Sequence, residues 1–389
     1  MNHEDIPAWS DPCGPEEDRR LIRQHLLAHA GDYFTDLETR TLGVELTRSR
    51  HRSACSLYRF ELRDGRRSHA VVVKRRVPRG SRRPLAGQRT RAPEVYRLLP
   101  EPDFHEKDAL EHAALRAIQQ HFQERGDPRF GAIRILDRIP ELHAIVMEEA
   151  SDPSLSRLFL QRDFVRRPHP GCPLSLPFAN AGAWLRLFHT LPVHRPGCEL
   201  RGDLGALEGS LERLGEFLAR TSTGEPGLRR AVEVAVRAAR VVLPVRLPLV
   251  PAHGDYGPNN ILVHSTGRVM VFDTCAKWRV PFYEDLAFFL FTFETIWPRA
   301  YGQRLAWSRR AVAHHAQDFL HGYFGEEAIP WPAIRVFELQ CVLSHWASRR
   351  YGMHGSSGVI RAGKRLRMVF LERFFRRYVH EIVQALDGG

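Results

Sequence analysis

Three polar residues, Asp255, Asn260 and Asp273, lie within a short stretch of turn-forming residues and brief apolar runs. Asp255 and Asn260 stand at the two ends of an irregular Gly/Pro loop, and Asp273 follows the apolar run Val269–Phe272. An amide oxygen and a carboxylate that converge on one point suit a hard cation such as Mg²⁺. A second carboxylate nearby can orient a hydroxyl group and take its proton. A base and a metal clamp together are what phosphoryl transfer requires, because that reaction depends on positioning and charge neutralisation more than on covalent chemistry.

The strands predicted on either side of the turn His264–Arg268 decide whether Asn260 and Asp273 can converge. In a hairpin with Leu262 opposite Val271, the same register places Asn260 directly opposite Asp273. Residues opposite each other on neighbouring strands lie about 5 Å apart. Asp and Asn also form turns and caps routinely, so any one of these residues alone would be interpreted as a turn former. Their joint spacing favours a site.

The segment from His253 to Val263 resembles the catalytic loop of the aminoglycoside phosphotransferase and choline kinase-like family, whose pattern is His-Gly-Asp-x-x-x-x-Asn. The spacing between Asn260 and Asp273 is also the one expected of this family and of protein kinases. The resemblance implies that Asp255 is the catalytic base and that Asn260 and Asp273 are metal ligands. It implies ATP and Mg²⁺ as the cofactors.

Neighbouring residues extend the resemblance. Gly254 and Thr274 stand where protein kinases have Arg and Phe, and small-molecule kinases differ from protein kinases in the same way. Tyr283–Ala287 resembles the family's Tyr-x-Asp-Leu-Ala element, which implies that Asp285 supports the catalytic loop by hydrogen bonding. Trp184–His189 is similar to a Leu-rich helix end of the family, and we interpret its closing histidine as a core residue rather than a catalyst.

A lysine at the end of a run of valines also resembles a feature of this family. Val71–Lys74 looks like the third strand of the family, whose lysine holds the α- and β-phosphates of the nucleotide. The alternative for Lys74 is a surface side chain at a strand end. We predict that Glu111 pairs with Lys74, because Leu115 and Ile118 follow it as in the family's Glu-led helix; Glu106 is the rival.

The nucleotide base and phosphates have their own candidate segments. Ile145–Ala150 resembles the hinge strand, where backbone groups near Glu148 and Ala150 would bind adenine. The phosphate-covering loop is expected between Leu46 and Leu57, a segment that contains serines and no glycine.

The elements that must position these residues follow from turn signals and apolar periodicity. Leu57–Leu62 and His69–Lys74 flank an Asp-Gly turn, which indicates a hairpin. Ala132–Leu136 and Ala144–Met147 are predicted to form a second strand pair, and Phe104–Phe122 has the four-residue recurrence of a helix.

The composition of these elements changes along the chain. We predict a loosely attached lead-in over 1–35, a nucleotide-binding N-lobe over 36–150, and a helical C-lobe over 151–389 that holds the catalytic loop and the acceptor site. The aperiodic basic segment Arg75–Pro102 is predicted to be a mobile loop near the nucleotide or acceptor entrance. The predicted fold class is α+β: a two-lobed, protein-kinase-like fold with a small antiparallel sheet and one main helix in the N-lobe.

Bulk composition excludes several classes of protein. The 389 residues are 43% hydrophobic and 26% charged, which is typical of globular proteins. The six cysteines form no Cys-x-x-Cys pair, so we expect reduced thiols and no zinc site among them. The first twenty residues carry no signal-peptide pattern, and the longest apolar run is far too short to span a membrane. We therefore expect a cytoplasmic protein.

The net charge of +12 bears on the acceptor. The basic residues spread over the whole chain, which favours a compositional origin over nucleic-acid binding, for which no aromatic motif is present. Like charges repel, so a polycationic antibiotic fits a basic C-terminal region poorly. A hydroxyl-bearing acceptor that is neutral or anionic, such as a sugar or a glycan, fits better. The residues concerned are Arg349, Arg350, Arg361, Lys364, Arg365, Arg367, Arg373, Arg376 and Arg377.

The sequence leaves other functions open. The predicted last helix, Lys364–Leu386, has an apolar face that we expect to pack within the helical lobe; peripheral contact with an anionic membrane is the alternative. An antibiotic-modifying kinase and a pseudokinase that serves as a binding or regulatory module are the alternative functions. The presence of Lys74, Asp255, Asn260 and Asp273 argues against the pseudokinase. No pattern in the sequence indicates an oligomeric state.

Overall fold

The computed structural model describes residues 16–51, 55–77, 104–161, 172–192, 199–221, 226–274, 278–296, 309–351 and 358–388. The chain divides into two compact units. The first unit holds the described residues up to Asp152, except Pro128–Phe130. The second unit holds those three residues and everything described from Pro153 onward. The loop predicted at Arg75–Pro102 lies outside the described residues from position 78 onward.

The first unit is built on a five-stranded antiparallel sheet. The sheet order is β1-β2-β3-β6-β5, so the chain places its two predicted strand pairs side by side through β3 and β6. In chain order, the elements up to Glu148 are α1 (Glu16–Tyr33), β1 (Gly43–His51), β2 (Cys55–Arg63), β3 (Ser68–Arg76), α2 (Phe104–Arg125), β4 (Phe130–Ala132), β5 (Ile135–Ile139) and β6 (Ala144–Glu148), with short 3-10 turns at Thr39–Thr41 and Pro140–Leu142. Strand β4 is not part of the five-stranded sheet, and it begins at Phe130, a residue of the second unit.

The predicted hairpin between β2 and β3 is confirmed, and its turn chemistry is visible. The Asp64 carboxylate accepts hydrogen bonds from the backbone N–H groups of Glu38 (2.9 Å), Arg67 (2.7 Å) and Arg66 (2.8 Å). These three donors favour the ionised form, and they lower the pKa of Asp64 to about 2. Gly65 takes a φ of 88°, which a hairpin turn of this kind requires.

The prediction of a loosely attached lead-in over the first 35 residues is wrong for its described part. From Glu16 the chain is α1, whose buried residues Ile22, Leu26, Ala30 and Tyr33 recur at helical spacing and join the core of the sheet. Burying a side chain of this kind is worth roughly 1.5–3 kcal/mol, so this stripe anchors the helix firmly. The polar residues between its members hid the periodicity.

The second unit is mainly helical. Its helices are α3 (Leu155–Phe159), α4 (Ser175–Phe188), α5 (Leu204–Thr221), α6 (Pro226–Val242), α7 (Tyr283–Glu294), α8 (Arg309–Phe324), α9 (Trp331–Tyr351) and α10 (Gly358–Asp387). Between α6 and α7 lie four short strands: β7 (Leu249–Pro251), β8 (Ile261–Val263), β9 (Val269–Val271) and β10 (Arg279–Pro281). Helix α9 is buried on nearly all sides, and its core cluster includes residues of α5, α6, α7 and α10.

Most of the described apolar face of the last helix packs within this unit, as expected, but Phe370 is 38% exposed. Phe374, Val379 and Ile382 of α10 are 1%, 6% and 1% exposed and belong to the same core cluster as α9. Among the described residues, no helix is both long enough and apolar enough to traverse a lipid bilayer.

Candidate active site

The hairpin of β8 and β9 carries Asn260 and leads to Asp273. The strands pair with Ile261 opposite Val271 and Val263 opposite Val269, so the predicted register is wrong by one residue. The cause is the turn, in which the His264 N–H donates a hydrogen bond to the Arg268 carbonyl (2.9 Å). This bond leaves a loop of three residues, and the last of them, Gly267, has a φ of 86°. Asn260 therefore lies opposite Phe272, whose N–H donates to the Asn260 carbonyl (3.2 Å).

Asp273 comes one residue after this pairing ends, and its backbone has an unusual conformation. Its φ of 67° lies in the left-handed region, which few residues other than glycine adopt and in which Asp is enriched. Such conformations cost energy and persist where the surroundings impose them, often at functional sites. The neighbouring Thr274 is 1% exposed and donates its hydroxyl to the His253 carbonyl (3.2 Å), which ties the end of this segment to the loop that begins at His253.

Asp255 and Asn260 are in direct contact. The Asn260 Nδ2 group donates to the Asp255 carboxylate (Oδ2, 2.9 Å) and to the Asp255 carbonyl (2.9 Å). Asn260 is 5% exposed, and Asp255 is half-buried. With its nitrogen committed to Asp255, Asn260 has its amide oxygen left for a cation. The oxygen atoms of Asn260 and Asp273 are the donors that Mg²⁺ prefers, so the residues fit the predicted ion.

Asp285, at the start of α7, fixes the loop from the other side. Its carboxylate accepts the backbone N–H groups of His253 (2.7 Å) and Gly254 (2.9 Å), and His189 Nε2 lies 3.2 Å from it. Although burial raises the pKa of the Asp285 carboxyl, the interactions with His189 and His253 outweigh it and hold that pKa below its usual value. The ionised form is the one that can accept all three bonds. The supporting role expected of Asp285 is confirmed.

His189 is a core residue with satisfied nitrogens, as the sequence analysis expected. It is 8% exposed, and its Nδ1 lies 2.8 Å from the Tyr323 hydroxyl while its Nε2 faces Asp285. Sequence reasoning did not identify Tyr323, which lies more than a hundred residues away on α8.

The histidine that opens the loop is held neutral. His253 is 3% exposed, and burial lowers its pKa to about 4. The Asp255 N–H donates to its Nδ1 (3.4 Å), which requires an unprotonated nitrogen there. Below it Tyr256 is fully buried, stacks on Trp184 (5.9 Å between ring centroids) and donates its hydroxyl to the Ala181 carbonyl (2.6 Å). The loop therefore packs on buried aromatic side chains.

In the first unit, Lys74 and Glu111 form the predicted ion pair. Lys74 Nζ lies 2.5 Å from Glu111 Oε1, and the two side chains are 10% and 1% exposed. Glu106 is exposed and is not the partner. The other Glu111 oxygen pairs with Arg76, which sequence reasoning missed. The signal was present, because Arg76 lies two residues after Lys74 and so shares its face of β3.

The hinge candidates lie at the end of β6. The Glu148 N–H donates to the Arg134 carbonyl (3.0 Å), and the Glu149 N–H donates to the Ala70 carbonyl on β3 (2.9 Å). Among the residues that the structure describes, the Ala150 N–H makes no backbone hydrogen bond. Strand β1 ends at His51, and strand β2 begins at Cys55. Residues 52–54, in the middle of the predicted phosphate-covering loop, lie outside the described residues.

The fold is shared with solved kinases of small molecules. An ethanolamine kinase of Plasmodium vivax superposes with a TM-score of 0.51 at 12% identity, over 95% of this chain and 93% of that one. A Ralstonia eutropha protein inferred to be an aminoglycoside phosphotransferase gives 0.51 at 13% identity, over 92% and 98%. The sequence matches no protein-family model and no curated protein. At these identities the likeness shows the fold, and the predicted α+β, protein-kinase-like fold is confirmed.

Proposed function

We propose that the protein is an ATP-dependent phosphotransferase that phosphorylates a hydroxyl group of a small molecule. The observation that carries the proposal is the contact between Asp255 and Asn260 on a loop whose amides are fixed by Asp285. Such a loop presents one half-buried carboxylate in a defined position. Positioning of this kind is the main protein contribution to phosphoryl transfer.

Asp255 is the residue we assign to the acceptor. Its carboxylate accepts a hydrogen bond from the acceptor hydroxyl, orients the hydroxyl oxygen and takes its proton as the bond to the γ-phosphorus forms. The bond between the γ-phosphorus and its bridging oxygen breaks, and ADP leaves. Asn260 and Asp273 would hold Mg²⁺, which neutralises phosphate charge when bound.

The first unit supplies the nucleotide contacts in this proposal. Lys74 would bind the α- and β-phosphates, and Glu111 holds its ammonium group in place. Backbone groups near Glu148 and Ala150 would bind adenine, since the amide of Ala150 has no backbone partner among the described residues. The pairing of Lys74 with a buried carboxylate supports this role, because a buried charged pair is expensive to keep without a use.

For the acceptor we propose a neutral or anionic molecule, such as a sugar or a glycan. Support comes from the net charge of +12 and from the arginine-rich end of the second unit. Two of those arginines already have protein partners: Arg350 lies 2.5 Å from Glu372, and Arg377 lies 3.3 Å from Glu381. Arg373, an exposed arginine of α10, is the described candidate for meeting acceptor charge.

The test is ATP consumption with Mg²⁺ against a panel of sugars, sugar phosphates, amino alcohols and antibiotics. For whichever acceptor gives turnover, Asp255→Asn should lower kcat by about 10²–10⁴-fold, the usual contribution of a general base. Asp273→Asn should abolish Mg²⁺-dependent transfer, and both variants should keep the wild-type far-UV spectrum. Asp32→Asn, at an exposed carboxylate of α1, is the control and should leave ATP turnover unchanged.

Near-normal turnover by folded Asp255→Asn would overturn the proposed mechanism. A preferred acceptor that is a polycation would overturn the acceptor class and leave the phosphotransferase assignment standing.

A further inference from the structure

A cluster of two histidines and one carboxylate lies among residues that the proposed function does not use. His25 and His29 stand one turn apart on α1, and Asp137 lies on β5. One ligand atom from each of the three lies within 4.8 Å of the others. His25 Nε2 is 2.9 Å from Asp137 Oδ2, and the two imidazole rings lie 4.5 Å apart between centroids.

Two further side chains orient this cluster. The Tyr33 hydroxyl donates to Asp137 Oδ2 (2.7 Å), and Asp32 Oδ2 lies 3.3 Å from His29 Nδ1. The Tyr33 hydroxyl also lies 3.0 Å from His25 Nε2, so it touches both of these candidate ligand atoms. A carboxylate on the second nitrogen of a ligating histidine, as Asp32 is on His29, is typical of the outer shell of metal sites.

The geometry points to a site for a divalent transition-metal ion of the Zn²⁺ type, held by His25, His29 and Asp137. Two imidazoles and a carboxylate are ligands that zinc accepts, and an i, i+4 pair of histidines on one helix is a common way to present two of them. The fourth position would be taken by water, since His29 and Asp137 are 44% and 35% exposed at the side chain.

The site closes with a small movement. Zinc–nitrogen bonds are about 2.0–2.1 Å long, so ligand atoms around a tetrahedral ion lie about 3.4 Å apart. His25 Nε2 and Asp137 Oδ2 lie 2.9 Å apart, so they have to separate by about 0.5 Å to admit the ion, and the partly exposed ring of His29 has to turn toward them. Because α1 and β5 each contribute ligands, the bound ion would cross-link the first helix to the edge of the sheet.

A second group of similar composition, His314, His315 and Asp318, is less suited. The His315 ring is buried and stacks on Phe178 at 4.7 Å, so it cannot turn without breaking the core. This group supplies the control.

The experiment is a Zn²⁺ titration of the chelator-treated full-length protein in competition with a chromophoric chelator. Excess Mg²⁺ is kept present to occupy oxygen-rich sites. Co²⁺, whose visible absorption reports coordination by nitrogen and oxygen, is the second probe. The wild type should bind one Zn²⁺ ion per chain.

The variants separate the outcomes. His29→Ala, at the most exposed ligand, should lose the site while the protein stays folded. Tyr33→Phe should weaken Zn²⁺ binding by about 10–100-fold, the usual effect of removing an outer-shell partner. His314→Ala should bind as the wild type does. Wild-type binding by His29→Ala, a loss that follows His314→Ala instead, or no bound Zn²⁺ in the wild type would each overturn the proposal.

Discussion

Asp255 lies in the loop that begins at His253, and Asp285 of α7 binds the amides of that loop. Their surroundings give the two carboxylates different roles. Asp285 is 2% exposed, and its two oxygens are used by two backbone amides and a histidine. Asp255 is half-buried and accepts a hydrogen bond from the side-chain amide of Asn260. A carboxylate whose oxygens all accept hydrogen bonds from the protein has a structural role. A carboxylate that remains accessible can exchange a proton with a bound molecule.

The buried histidine beside them predicts a pH dependence of stability. The folded-state pKa of His253 is about 4, below the value near 6.5 in the unfolded chain. Between these two values the unfolded state binds the extra proton, so stability rises with pH through this window and is lost as the pH falls from 6.5 to 4. The contribution of His253 should reach about 3 kcal/mol over the window.

Denaturant unfolding of the wild type and of His253→Gln, measured from pH 4 to pH 7, tests this prediction. The wild type should show the steeper decline in unfolding free energy on acidification, and the variant should lack the part due to this residue. Parallel curves for the two proteins would contradict it.

At the scale of elements, turn chemistry and periodicity predicted the two strand pairs of the first unit, helix α2 and the last helix, but not strand β1. The Asp64–Gly65 hairpin lies where the sequence placed it, because its signals are local, and the strand of Lys74 runs two residues further than predicted, to Arg76. The register of β8 and β9 was wrong because it depends on which residue of a five-residue turn takes a positive φ. The contact of His189 with Tyr323 depends on tertiary packing that no local pattern encodes, whereas the contact of Glu111 with Arg76 could have been inferred from the alternation of side chains along β3.

Helices α4 and α8 cross at two glycines, and this contact predicts a large effect of a small substitution. A Cβ at Gly322 would lie 1.9 Å from the Ala179 carbonyl oxygen, and one at Gly182 would lie 1.9 Å from that of Phe319. Both obstacles are backbone, so the helices would have to separate. Gly322→Ala should therefore destabilise the second unit by about 2 kcal/mol or more.

The matched control is Gly227→Ala near the start of α6, where an added Cβ would meet nothing within 4 Å. Alanine is the better helix former there, so this variant should be neutral or more stable by up to about 1 kcal/mol. The measurement is the unfolding free energy of both variants against the wild type. Equal effects of the two substitutions would show that the helix crossing is not tightly packed.

At the scale of the whole molecule, the excess of 57 basic over 45 acidic residues predicts a salt-dependent acceptor interaction if the proposed acceptor is anionic. The acceptor KM should rise with ionic strength, and Arg373→Gln should raise it by about 1.5- to 5-fold, as expected for a partly solvated charge contact. The KM for ATP should stay nearly unchanged. Arg230→Gln, at an exposed arginine of α6, is the control. A flat response of the acceptor KM to salt would exclude charge attraction.

The hydrogen bonds from the amides of His253 and Gly254 to Asp285 also join distant parts of the chain. The two amides lie 32 and 31 residues before Asp285, and the carboxylate sits on the first turn of α7. A chain in which α7 is not docked therefore has all the chemical groups of the candidate site, but its loop amides stay open to solvent. The position of Asp255 thus depends on the placement of that helix as well as on the loop's own residues.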